Sequence, residues 1–132
     1  MSWSYVDTSA LVKLLVDEDE TEALTSALGA TTAISSVLAV IELTAVARRR
    51  RVTDGEARVD SIVAGLRLAP LSDAVLHSAQ AVGSHPPLRA LDLLHLATAR
   101  VLEEAGTRTL FAYDLEFVAA ARAEGFTVLA PA

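Results

Sequence analysis

Four carboxylates in this chain stand in settings that call for an explanation. Asp7 follows the strand-like SYV, and Asp114 follows the strand-like TLFAY. Glu42 interrupts the apolar run SVLAVIELTAVA, and Asp92 interrupts ALDLLHLA. An ionised acid among hydrocarbon is costly unless it is paired. Each of the four has a purely structural reading. Asp7 and Asp114 suit helix N-caps, where Asp is common. Glu42 suits a helix rim beside an Arg, and Asp92 can pair with Arg89 at i−3 or His95 at i+3. Together they suggest one acidic pocket, assembled from residues 35, 50 and 22 positions apart. Carboxylates brought that close repel and raise one another's pKa. A divalent cation removes the conflict. Mg²⁺ takes hard oxygen ligands, one or two carboxylates and several waters. Two such ions can activate water and steady the leaving oxygen of a phosphodiester.

Only a fold can bring these residues together, and the chain reads as strands alternating with helices. SYVD is a short strand and Thr8–Val16 a helix with Leu11, Leu14 and Leu15 on one face. Glu20–Leu28 is a second helix, stopped at Gly29 in the manner of a C′ glycine. TTAIS is β-rich, and Ser35 or Ser36 can N-cap a helix running into Arg48–Arg51. Thr53 to Glu56 fits a capping box that opens a helix to about Gly65. RLAPL is strand-like, Ser72 or Asp73 starts a helix ending at Gly83, and SHPP is a loop. RALDLLHLATAR then opens a helix that ends near Gly106. TLFAY is a strand, Asp114–Glu124 a helix ended by Gly125, and TVLA a last strand. About five short strands with helices between them predict an α/β fold with a mostly parallel sheet. In such sheets functional groups gather at the carboxyl ends of strands, which is where Asp7 and Asp114 fall.

Composition narrows the setting. The chain of 132 residues suits a single domain, 1–132. Hydrophobic residues make up 52% and aromatics only 5%, so Ala, Leu and Val must build the core. Without Cys there are no disulfides or thiolate zinc sites, which fits a cytoplasmic setting. The N-terminus, MSWSYVD, lacks the basic and apolar regions of a signal peptide. No apolar run approaches the ~20 residues of a membrane span, so no membrane partner is expected. The net charge of −6 does not advertise nucleic-acid binding, although a local basic patch or bound cations can serve instead. An acidic surface also suits a basic protein partner.

The stretches YVDTSALVKL, SSVLAVIEL, ALDLLHLATA and FAYDLEFVAAARAEG, in that order, resemble the PIN-domain ribonucleases. More narrowly they resemble VapC-type toxins of bacterial toxin–antitoxin pairs. The resemblance implies a three-layer α/β/α PIN-like sandwich and a Mg²⁺- or Mn²⁺-dependent endoribonuclease. Asp7, Glu42, Asp92 and Asp114 match the family's four acids, and Thr8 and Ser9 its hydroxyl residues after the first acid. Where the family usually carries a hydroxyl two residues before its fourth acid, this chain has Ala112. On this resemblance Asp7 and Asp92 bind the first metal, and Glu42 binds it or orients its water. Asp114 holds a second metal or positions the nucleophile. In-line attack on an RNA phosphodiester would leave 5′-phosphate and 3′-hydroxyl ends. The implied partners are an RNA substrate, a cognate VapB-type antitoxin that blocks the acidic site, and a second copy in a homodimer.

Other residues carry weaker signals. Arg48–Arg51 close a helix, where cations suit the macrodipole, and Arg48 could contact an RNA phosphate. His95 could stand behind the metal ligands, ligate metal itself or simply pack, and Glu116 could assist Asp114. His77 and His85 show no partner. Trp3 and Tyr5 read as core or dimer-interface residues, and Lys13 as a solvated helix position. Two rival readings, one an enzyme and one a binding module, are weakened by what is missing. A haloacid-dehalogenase-type phosphatase needs a second Asp where Ser9 stands, and a Lys further downstream than Lys13, the chain's only Lys. A receiver domain needs a strand-end Lys. An inactive PIN-like interaction scaffold is the remaining alternative, and the presence of all four acids argues against it.

Overall fold

Strand alternation determines the layering. The structure, a computed structural model, describes residues 2–82, 87–103 and 106–132. In β1 (Trp3–Val6) Tyr5 points into one apolar cluster and Val6 into another. In β4 (Thr109–Phe111) Leu110 shares Tyr5's face and Phe111 shares Val6's. Strands buried on both faces need helices on both faces. With β2 (Thr32–Ser36), β3 (Arg67–Ala69) and β5 (Thr127–Leu129) they form a parallel sheet in the order β3-β2-β1-β4-β5. α1 (Thr8–Leu15), α2 (Thr21–Leu28), α3 (Leu38–Arg49) and α4 (Gly55–Ala64) supply Leu11, Leu15, Leu24, Leu43 and Val59 to the Val6 side. α5 (Asp73–Ala79), α6 (Ala90–Glu103) and α7 (Leu115–Ala123) supply Val75, Leu96, Phe117 and Ala121 to the Tyr5 side. This is the expected three-layer α/β/α sandwich. The chain runs outward from β1 through β2 to β3, then returns to place β4 on β1's other side. The carboxyl ends of β1 and β4 therefore flank the sheet's switch point, the usual ligand crevice of such folds.

Local capping departs from the sequence reading in three places. Gly29 ends α2 with φ −63°, so it is a right-handed cap and not a left-handed C′ glycine. The N-cap of α3 is Val37; Ser36 serves from one position earlier, its Oγ accepting from the Leu38 N–H at 3.1 Å, while Ser35 Oγ donates to Val6 O. The Thr53–Glu56 capping box does not form. The α3–α4 turn bends through left-handed Arg51 and Asp54, which makes Asp54 the N-cap without a side-chain hydrogen bond. α5 ends at Ala79, earlier than Gly83; Gly83, His85 and most of SHPP lie outside the described residues. Gly125, at φ +92°, does reverse the chain after α7 through a left-handed conformation.

Ser72 is a conventional N-cap, its Oγ accepting from the Val75 N–H at 3.2 Å. Ser72→Ala is expected to remove about 1 kcal/mol of stability. Urea unfolding should read this as a lower midpoint at unchanged m. An unmoved midpoint would show that the cap contributes nothing.

Candidate active site

Asp7 continues the β1–β4 ladder, its N–H donating to Phe111 O at 2.9 Å, and then starts α1. Its Oδ2 accepts from the Ser9 N–H at 3.2 Å and from Ser9 Oγ at 2.7 Å. Asp114 plays the same part for α7, with Oδ1 accepting from the Glu116 and Phe117 N–H groups at 3.0 and 3.1 Å. The capping readings of both residues therefore hold. A cap uses only one carboxylate oxygen, however, and among the described residues no hydrogen bond reaches Asp7 Oδ1 or Asp114 Oδ2.

The helical acids reach the same edge from opposite layers. Glu42, on α3, turns Oε1 to Thr8 Oγ1 at 2.9 Å and to His95 Nε2 at 2.5 Å. Asp92, in the first turn of α6, is half-buried and makes no ion pair with Arg89 or His95 among the described residues. Its carboxyl is pushed up to about 6, first by burial, then by the negative charges of Asp7 and Asp114 and, more weakly, Glu42. All four acids thus lie within electrostatic reach at the carboxyl edge of β1 and β4. Burial also raises the Asp7 carboxyl; nearby His95 and the Ser9 hydrogen bonds offset part of that effect.

Ser9 locks two of these segments together. Besides donating to Asp7, its Oγ accepts from the Tyr113 N–H at 3.0 Å and lies 3.4 Å from the Asp114 N. Ala112 is fully buried in the core, so the edge that lacks its expected hydroxyl is held by Ser9. Ser9→Ala should cost about 1–3 kcal/mol, since it strips a partner from both a buried carboxylate and a backbone donor. A chemical-denaturation midpoint equal to wild type would contradict this.

The remaining candidates sort by position. Thr8 is buried and bonded to Glu42. His95 is 1% exposed with both ring nitrogens engaged, Nδ1 by Tyr5 Oη at 2.6 Å and Nε2 by Glu42, so it has no nitrogen left to ligate a metal. Burial works against charge on His95, but the Glu42 hydrogen bond and the Asp7 charge outweigh it and leave its pKa raised. Glu116 is exposed, and its backbone serves the Asp114 cap. Arg48 does not join the acids. It lines a cavity of about 430 Å³ between α3 and α4 with Arg51, Glu56 and Asp60. Lys13 is not a solvated position: its Nζ pairs with Glu18 and Glu20 at 3.3 Å and sits 4.6 Å from the centre of the Tyr113 ring. Trp3 is 39% exposed, whereas Tyr5 is fully buried. Leu91, beside Asp92, is exposed and does not share the core packing of Leu96.

As the side chains stand, no three His, Asp or Glu residues among those described converge at ligand distances. Glu42, Asp7 and Asp114 each accept from protein donors instead. The chemistry of the set nevertheless fits a divalent ion. The ligands are hard oxygens, three are anchored by one carboxylate arm, and Asp92 carries an excess of neighbouring negative charge that a cation would relieve.

A profile of the PIN domain matches residues 4–125. Ribonuclease VapC35 of Mycobacterium tuberculosis is 39% identical over 131 residues, and Ribonuclease VapC47 of the same organism 34% identical over 132; each alignment covers 96% of both chains. A solved toxin–antitoxin complex from Klebsiella pneumoniae shares the fold at TM-score 0.74 and 18% identity, over 98% of each chain.

Proposed function

Since the chain belongs to the PIN-domain family, and within it to the VapC-type ribonucleases, we propose that it is a divalent-metal-dependent endoribonuclease, the toxin of a toxin–antitoxin pair. The observation that supports this reading is the raised Asp92 carboxyl, which feels the charges of Asp7, Asp114 and Glu42 after burial. Asp7 and Asp92 would hold the first Mg²⁺ or Mn²⁺, and Glu42 would hold it or orient its water. Asp114 would hold a second ion or position the nucleophile. The ion supplies a Lewis acid and an activated water. Ser9 ties the Asp7 and Asp114 segments together, and the caps hold one oxygen of each carboxylate while the other carries no hydrogen bond among the described residues.

The partners follow from the surface. An acidic mouth would accept a basic side chain of an antitoxin, and the similar fold from Klebsiella pneumoniae was solved as a toxin–antitoxin complex. Ile41, Leu91 and Leu115 each adjoin a site acid and are 69%, 46% and 84% exposed. Exposed apolar side chains next to the acids would suit a protein partner, either an antitoxin or a second copy in a homodimer, if they form one patch. RNA contact would then depend on bound cations and local arginines, given the net charge of −6.

Incubating the purified chain with total RNA tests the reading. Site-restricted fragments are expected with Mg²⁺, and their loss with EDTA. Cleavage that persists in EDTA would sink the metal-dependent mechanism. No cleavage under any divalent ion would favour the interaction scaffold.

A further inference from the structure

Tyr5 is a large buried polar group that the proposed chemistry does not use. It is fully buried in β1, and its hydroxyl lies 2.6 Å from His95 Nδ1, the two rings meeting edge to face at 6.0 Å. Across the imidazole, Nε2 lies 2.5 Å from Glu42 Oε1, which also accepts from Thr8 Oγ1. The chain Tyr5–His95–Glu42 therefore runs from the core of one layer to an acid on the helix of the other. It rounds the carboxyl edge of the sheet beside Asp7, whose Oδ1 is 3.9 Å from His95 Nδ1. A carboxylate can only accept, so the proton between His95 and Glu42 belongs to Nε2. That leaves Nδ1 to Tyr5, a phenol held protonated by burial and by the Asp7 charge.

We propose that Tyr5 is a positioning residue: it orients His95, and His95 in turn holds Glu42 by Oε1 so that Oε2 alone is presented to the site. The inference rests on the reading that Glu42 serves a metal or its water. Three features of the geometry support it. The alternative partners of the imidazole are few, because the ring is 1% exposed. Glu42 rides on α3, whose neighbour Ile41 is open to solvent, so without His95 and Thr8 its side chain would turn outward. Hydrogen-bond partners of a ligating carboxylate orient it, and losing such a partner typically weakens metal binding 10- to 100-fold.

The test uses the full chain with Tyr5→Phe, His95→Gln and His95→Leu. Calorimetric Mn²⁺ binding to metal-free protein, kcat and KM on RNA, and the ring ¹⁵N spectrum of His95 are measured. Tyr5→Phe, which removes one oxygen atom, is expected to weaken Mn²⁺ binding about tenfold and lower kcat by a similar factor, with KM little changed. His95→Leu should lose more. His95→Gln, whose amide can still donate to Glu42, should recover most of that loss. The metal-free wild type should show a protonated Nε2. A folded Tyr5→Phe with wild-type Mn²⁺ affinity and kcat overturns the proposal, as does a bare Nε2 or a His95→Gln no better than His95→Leu. A wild type that neither binds Mn²⁺ nor cuts RNA overturns the metal-nuclease reading itself, and the proposal with it.

Discussion

An Asp7→Asn chain is expected to fold normally and to cut RNA about 10³-fold more slowly than wild type, a loss of about 4 kcal/mol of transition-state stabilisation. The two halves of this expectation come from different atoms of one side chain. Asn retains an oxygen that can accept from the Ser9 N–H and Oγ, so the α1 cap survives. What disappears is the negative charge, which in the wild type is held in a buried position with no hydrogen bond to Oδ1 among the described residues. Burial makes that charge unfavourable to the fold, as the raised Asp7 carboxyl records. A group that costs the fold something and is held at a cleft edge is one whose removal should spare stability and harm chemistry. Cleavage kinetics beside a thermal melt separate the two effects. Wild-type turnover in a folded Asp7→Asn chain would sink the assignment of Asp7. Loss of activity together with loss of the melting transition would instead make Asp7 a cap and nothing more.

Why some of this was legible in the sequence and some was not has physical causes. Asp7 and Asp114 could be read because a strand that ends in an acid before a helix has few places to go in a parallel sheet. The structural and chemical readings do not exclude each other, because the cap occupies one carboxylate oxygen and leaves the other without a hydrogen bond among the described residues. Asp92 was harder to place, since Arg89 and His95 lay at helical spacing and only the fold shows neither as its ion-pair partner. Tyr5 was hidden by period-two alternation, which tells which face a residue takes but not whom its hydroxyl meets 90 positions away. Lys13 looked solvated because the residues that enclose it come from the following loop and from Tyr113 across the site. The failed capping box at Thr53 shows a local motif losing to a turn. Once Arg51 and Asp54 adopt left-handed φ values, Asp54 rather than Thr53 occupies the N-cap.

Asp92→Asn should move activity and metal-free stability in opposite directions. The Asp92 carboxyl is raised from 3.8 to about 6, so the folded chain binds this proton more tightly than the unfolded chain does. For an acid raised in this way, ionisation opposes folding. The cost is absent below about pH 4, grows as pH rises toward 6, and is fully present above it. The full displacement corresponds to about 3 kcal/mol, and screening by water at this half-exposed site reduces that to about 1 kcal/mol. In EDTA at pH 7.5 the Asn variant should therefore melt about 3–5 °C above wild type, with the advantage fading by pH 4. Saturating Mg²⁺ should reverse the order, because at about 100 times its dissociation constant an ion adds about 2.7 kcal/mol to a chain that can bind it. RNA cleavage should fall at least ~100-fold throughout. The conflict among carboxylates that weakens the metal-free fold would then be the source of its affinity for the ion. An Asn variant less stable than wild type in EDTA at neutral pH would refute this, since it would make Asp92 a net contributor to folding.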